Sequence, residues 1–457
     1  MAFSYAARQL VVAGLAGNAV RPLGGRYGSI PAFAAGWLTS ELAPQLLALS
    51  AADTAAELTV RWRRRRRSGE RATSALGLTA AAVGMGTLGY LVRNAMASGE
   101  TVEGNLRESL GADYLERLEQ PLDVPPHSTW RELLRPFKLT SPGVEVIRDV
   151  NYRVGGSRAR LDIYRPEGVD LTNAPVLFQV HGGGWTIGDK GQQGLLLMNR
   201  MAQRGWICVA SNYRLAPKHP FPAQIVDVKK ALAWVRDNIG EYGGDPSYVV
   251  ITGGSAGGHL AALAALTPDV KEYQPGFEDA DTRVSACVPF YGVYDMANLT
   301  EDRHARGMRD WFLAPRVFRK DPVEDLDDFV QASPLAHVTE HTPDFLVIHG
   351  ANDSLVNVGQ ARSFVAALRE KSDASVTYSE LPGTQHAFEV FGSIRSHHVI
   401  KAVERWLEWH RSTRRDETSV RPTREGSAAG QSENPLADDV AQHLRRASGD
   451  GEATSQQ

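Results

Sequence analysis

The segment with the clearest chemical content is Gly253-Gly254-Ser255-Ala256-Gly257-Gly258, which follows the apolar run 248–252 (YVVIT) directly. A G-x-S-x-G pattern between strand-like and helix-like sequence implies a sharp, strained turn, where side chains in place of the flanking glycines would clash. Such a turn lifts the Ser255 hydroxyl above a sheet edge, next to a helix N-terminus. A serine hydroxyl is a weak nucleophile and needs an adjacent base. His386, after the run 376–381 and the turn Pro382-Gly383-Thr384-Gln385, is the candidate, because an imidazole exchanges protons near neutral pH. The base in turn needs an acid to hold its tautomer and stabilise its cation. Asp353, reached from the run 345–349 through Gly350-Ala351-Asn352, is the candidate acid, with Asp295 as the alternative. His349 reads as a packing residue and His259 falls in the helix after the serine. The competing reading of the glycine segment is a turn with a structural serine.

A second glycine cluster, His181-Gly182-Gly183-Gly184-Trp185, follows the run 176–180 (VLFQV). Glycines let backbone N–H groups converge on a developing oxyanion, and the N–H of Ala256 would complete such a hole. The loop matches neither G-x-G-x-x-G nor G-x-x-x-x-G-K-[ST], so a phosphate cradle is the weaker reading.

The elements that must carry these residues alternate. Apolar runs at 176–180, 206–210, 248–252 and 345–349, with 284–290 and 376–381, read as buried parallel strands. Amphipathic stretches at 224–238, 258–266, 359–371 and 397–411 fall between them. Together they imply an α/β fold, a mostly parallel central sheet with helices on both faces, whose site lies beyond the carboxyl ends of the strands.

At this point the motifs carry a resemblance. His181–Trp185, the segment Asn212-Tyr213-Arg214-Leu215-Ala216-Pro217-Lys218-His219-Pro220-Phe221-Pro222-Ala223, and Gly253–Gly258 resemble the hormone-sensitive-lipase-like branch of α/β-hydrolase serine esterases, bacterial carboxylesterases and lipases above all. The chain order Ser255, Asp353, His386 is the one expected of that fold. The resemblance implies oxyanion donors at Gly183 and Gly184, and ester hydrolysis through an acyl-enzyme with no metal and no cofactor. Two departures stand out. The family often has Asp before the nucleophile, where this chain has Gly254, and Asp and Glu where it has Asn212 and Lys218.

The 457 residues, with 42% hydrophobic residues and a formal net charge of −3, exclude a wholly disordered chain and argue against nucleic acid as a partner. The two cysteines, Cys208 and Cys287, exclude a disulfide scaffold and read as buried core thiols. The chain divides into an Ala/Gly-rich helical region, 1–140, holding cap material and possible transmembrane segments at about 30–49 and 72–92. The catalytic domain covers 141–410, and a disordered tail, 411–457, has a short helix possible at 437–446. Residues 72–92 carry no charge across a length that suits a bilayer core. The basic run from Arg61 to Arg67 beside them favours the cytoplasmic side, which would put the body outside the cytoplasm. A surface-lying helix is the alternative, with a cytoplasmic body. Segments 94–140 and 295–333 read as cap, with Trp130, Phe137, Trp311, Phe312 and Phe318 available to line an acyl pocket. A non-catalytic, membrane-associated binding protein on a hydrolase fold, and a membrane module with the hydrolase as passenger, are the rival classes. The expected partner is a small-molecule or lipid ester.

Overall fold

The structure is a computed structural model that describes residues 4–22, 29–68, 75–118 and 133–420. Eight strands form one sheet: β1 (Val144–Asn151), β2 (Arg160–Pro166), β3 (Ala174–Val180), β4 (Ile207–Ser211), β5 (Gly244–Gly254), β6 (Ala286–Phe290), β7 (Asp344–Gly350) and β8 (Val376–Leu381). Their spatial order is β1-β2-β4-β3-β5-β6-β7-β8. β2 is antiparallel to both neighbours, and the remaining pairs are parallel. The apolar runs read from the sequence are the parallel strands, and β3, β4 and β6 are buried along their whole length. β1 and β2 escape such a reading because charged residues break up their apolar pattern; β1 is the edge strand and β2 its antiparallel neighbour. Glu145, Arg148, Asp149, Arg160 and Arg165 interrupt their apolar positions.

Alternation along the strands builds two cores. Val176, Phe178 and Val180 face the layer that holds the helices Ala223–Asn238, Ala256–Leu266 and Gly359–Lys371. Leu177 faces the other layer, with Trp206, Trp406 and the helices Leu195–Gln203 and Ile394–Val420. Cys208 on β4 and Cys287 on β6 lie in opposite cores, and both are free thiols. The last helix continues through Val420, past the boundary expected at 411, and residues 421–457 lie outside the described residues, including the helix considered at 437–446.

Four helices precede the sheet: α1 (Tyr5–Val20), α2 (Ser29–Glu41), α3 (Ala43–Ser68) and α4 (Ala75–Leu110). The segment 30–49 is therefore not one span. It breaks at Leu42, and Pro44 sits in the first turn of α3, where its missing N–H costs nothing. Glu41 at the break is buried in an ion pair with Arg395 and accepts a 2.6 Å hydrogen bond from Ser393. α4 is the one described helix long and apolar enough to cross a membrane. Its buried residues, among them Ala80, Gly84, Leu88, Leu91, Ala95, Val102 and Leu106, recur at helical spacing along its length. The small residues serve close packing on α1: a Cβ at Gly77 would lie 2.8 Å from the Tyr5 ring. Beyond them, Glu103 on α4 pairs with Arg405 of the last helix at 3.1 Å. Leu76, Leu78, Val83, Tyr90 and Met96 are exposed on the same helix.

Candidate active site

β5 runs into Ser255, whose backbone sits at φ 60°, a conformation strained for any residue with a side chain. The turn is held because the Ser255 N–H donates to the Phe290 carbonyl of β6 at 3.0 Å. Glycines are required around it: a Cβ at Gly257 would lie 2.1 Å from the Val180 carbonyl, and one at Gly253 would lie 2.5 Å from the Gly257 carbonyl. The helix Ala256–Leu266 begins immediately, so its positive end points at the space above Ser255.

The loop after β3 adds the second wall. Gly183 and Gly184 have φ of 110° and 57°, and a Cβ at Gly183 would lie 2.3 Å from the Ile187 carbonyl. The Gly182 N–H is taken by Gln193 at 2.7 Å. Among the described residues the N–H groups of Gly183, Gly184 and Ala256 have no hydrogen-bond acceptor. His181 is not available for chemistry: it stacks on Tyr213 with ring centroids 4.2 Å apart, and burial lowers its pKa to about 4. His259 is likewise buried, with its pKa lowered to about 4 by burial. It accepts from the Trp185 indole at 3.1 Å and contacts the Ala332 carbonyl at 2.8 Å.

The loops after β7 and β8 meet. His386 Nδ1 and Asp353 Oδ2 are 2.6 Å apart, both buried. Asp353 also accepts the backbone N–H groups of Leu355 and Val356 at 2.9 and 2.8 Å. Burial would push this carboxyl up, but the charge of His386 and hydrogen bonds from His349 and His386 outweigh it and hold it well below the usual carboxylate range. His349 is thus more than packing: its Nε2 is 3.3 Å from Asp353 Oδ2 and 2.9 Å from the Val356 carbonyl. Gln385 ties the two loops by accepting from the Ser354 and His386 N–H groups at 2.8 and 2.9 Å. Asp295, the alternative acid, is engaged elsewhere, accepting from Leu299, Thr300 and the Thr300 hydroxyl. No hydrogen bond joins the Ser255 hydroxyl to His386 among the described residues. Contacts of this kind commonly tighten only with substrate bound. Tyr291 stands between the two loops, its ring 4.4 Å from that of His386.

Two groups of residues escape a motif-based reading because no local pattern marks them. The first is α2, which packs Phe33 against His386 at 5.8 Å between ring centroids and stacks Trp37 on Phe33. A Cβ at Gly36 would lie 3.6 Å from Gln385, so the helix approaches the histidine loop closely. The second is the pair Tyr291 and Glu389, joined by a hydrogen bond beneath the site. On the other flank, Thr186, Pro217, Trp311, Phe312 and Arg316 line an open cleft of about 410 Å³ beside the glycine loop. A Cβ at Gly184 would lie 3.1 Å from the Phe312 ring. Phe318 is instead a core residue stacked on Phe329, Phe137 packs on Phe391, and Trp130 lies outside the described residues. Two of the departures from the family pattern are absorbed: Asn212 accepts from the Lys190 N–H and donates to Asp189, and Gly254 leaves room for Tyr291. Among the described residues no group of acidic, His or Cys side chains could hold a metal ion.

Comparison with known proteins agrees with this architecture. Residues 161–368 match the family model described as BD-FAE. The chain is 52% identical over 261 residues to a probable carboxylic ester hydrolase, LipM, of Mycobacterium tuberculosis, covering 57% of this chain and 60% of the relative. It is 49% identical over 260 residues to the esterase LipQ of the same organism, covering 57% and 61%. The chain thus spans about 60% of the length of these curated relatives. The solved structure of an inhibited esterase B from Lactobacillus rhamnosis shares the fold, with a TM-score of 0.51 at 21% identity, over 62% of this chain and 91% of that one.

Proposed function

We propose, from the premise that the body of this chain is an α/β-hydrolase related to esterases, that it hydrolyses carboxylic esters through an acyl-enzyme on Ser255. His386 takes the Ser255 proton as the hydroxyl attacks the ester carbonyl, and Asp353 stabilises the imidazolium that forms. The N–H groups of Gly183, Gly184 and Ala256 receive the oxyanion, aided by the helix end behind Ala256. His386 then protonates the leaving alcohol, and water activated by the same imidazole releases the acid. The observation that carries this reading is the 2.6 Å hydrogen bond between His386 and Asp353 on the rim where Ser255 stands at φ 60°. The test is turnover of p-nitrophenyl butyrate by Ser255→Ala. Loss of turnover to the uncatalysed background supports the reading, and turnover at the wild-type rate contradicts it.

The substrate side follows from the walls. Phe33 and Trp37 on one flank and Trp311 and Phe312 on the other are apolar, so the acyl or alcohol group is apolar too. The outer face of α4 supports membrane association: Leu76, Leu78, Val83, Tyr90 and Met96 project from a helix whose other face is packed on the protein. In this reading α4 lies on the lipid surface and the substrate is a lipid-like ester. A p-nitrophenyl ester series of rising acyl length, with and without vesicles, tests it. A rate that rises with chain length and with lipid is expected; a preference for acetate that lipid leaves unchanged contradicts it.

A further inference from the structure

One buried carboxylate has no part in the mechanism above. Glu389 lies just past His386 on the same loop and is buried. The Tyr291 hydroxyl donates to its Oε1, while its Oε2 has no hydrogen-bond partner among the described residues. An unpaired carboxylate oxygen in the interior is costly, and an apolar side chain would fill the space better. The residue also lines a cavity of about 10 Å³ behind the serine turn, together with Gln179, Gly253 and Gly254. That is room on the scale of one water, enough to solvate a charge.

Tyr291 connects this carboxylate to the site. Its backbone is held at φ 37°, with its N–H donating to the Ile348 carbonyl of β7 at 2.7 Å. Its hydroxyl sits 2.7 Å from where a Cβ of residue 254 would be, so Gly254 is the residue that admits it. Its ring lies 4.4 Å from the His386 ring, at 54° between planes. A phenol whose hydroxyl donates to a carboxylate has an electron-richer ring, and an electron-rich ring beside an imidazole favours the imidazolium.

We propose that Glu389, acting through the hydroxyl and ring of Tyr291, is a positioning residue for His386, a second carboxylate that orients the imidazole and favours its cationic form. The proposal rests on the reading of Ser255, His386 and Asp353 given above. The titratable groups facing Glu389 are Tyr291, His386 and, from α2, Glu41, which is itself held by Arg395. Those facing His386 are Asp353, with His349 behind it, and Tyr291. Burial raises the Glu389 carboxyl, opposed by the Tyr291 hydrogen bond and the His386 charge.

The test is the pH dependence of kcat and kcat/KM on p-nitrophenyl butyrate for the full chain, for Glu389→Gln, Tyr291→Phe, their double variant and Glu389→Asp. A fluorophosphonate label on each protein reads Ser255 independently. Removing the carboxylate, or the hydroxyl through which it enriches the ring, removes what favours the imidazolium and lowers the pKa of His386. The acid limb should therefore move to lower pH by roughly half a unit in both single variants. Plateau kcat should fall about tenfold with KM unchanged. The double variant should be no worse than either single one, and Glu389→Asp should recover part of the shift. An acid limb that stays in place in both single variants, whatever the rate, overturns the proposal and leaves Glu389 a packing residue. If Glu389→Gln does not fold, Tyr291→Phe and Glu389→Asp decide the matter. Failure of the probe to label Ser255 in the wild type overturns the triad reading itself, whereas labelling with an unmoved acid limb overturns only the role of Glu389.

Discussion

Phe33, near the start of the chain, meets the imidazole of His386 edge-on, with ring centroids 5.8 Å apart. The contact makes α2 part of the site's wall, although its sequence also suits the start of a membrane span. Phe33→Ala removes that wall and leaves every reacting group itself unchanged. The expected outcome is a changed acyl-chain preference and a raised KM for long esters, with kcat on p-nitrophenyl acetate changed by less than about threefold, as for loss of binding shared by ground and transition states. Steady-state kinetics on an ester series checks this.

The cap is fastened by a buried charge pair. Glu41 and Arg395 are both fully buried, and Glu41 is further held by Ser40 and Ser393. Replacing one member leaves the other charged and unpaired in the interior. Glu41→Gln is therefore expected to lower stability by about 3 kcal/mol, read as a lower urea midpoint. An unchanged midpoint would show that the pair does not fasten α2.

Asp353 gives a signed pH prediction. Its carboxyl is ionised well below the usual range when folded, so it contributes stability that is complete above the unfolded value of about 3.9. That contribution is lost as pH falls through the folded value. The stability difference between wild type and Asp353→Asn should shrink as pH falls below about 4, as measured by urea unfolding. Activity of Asp353→Asn should fall by about 10⁴.

Membrane docking by α4 is tested by flotation with vesicles. Replacing Val83 and Tyr90 by Glu charges the exposed face and leaves the buried stripe untouched. Wild type is expected to float with anionic vesicles and the double variant to remain in the soluble fraction, both retaining hydrolysis of a soluble ester. Flotation of both proteins alike would remove α4 as the contact.

The parts of the site legible in the sequence are those whose chemistry is local. Ser255 is announced by its glycines, which the turn needs for steric reasons visible within six residues. Asp353 and His386 are placed by the strands before them, because a parallel sheet puts every such loop at one edge. The contacts of α2 are not legible, because Phe33 and His386 meet only through the packing of a helix remote in sequence. For the same reason the run 30–49 resembles a membrane segment: Phe33 and Trp37 pack against protein while Ile30, Leu38 and Leu49 are exposed, and Glu41 is neutralised by a partner at the other end of the chain. β1 and β2 carry charges that interrupt their apolar positions and lack the continuous apolar run that marks the parallel strands. Tyr291 and Glu389 have no motif, since the relation between them exists only where β6 and the histidine loop converge.

The most direct measurement is to quench the enzyme in acid during turnover of a p-nitrophenyl ester, digest it and locate the acyl group by mass spectrometry. The account predicts an acyl adduct on the peptide containing Ser255, absent when Ser255 is replaced by Ala. An adduct on another residue, or steady turnover with none at any time, would contradict it.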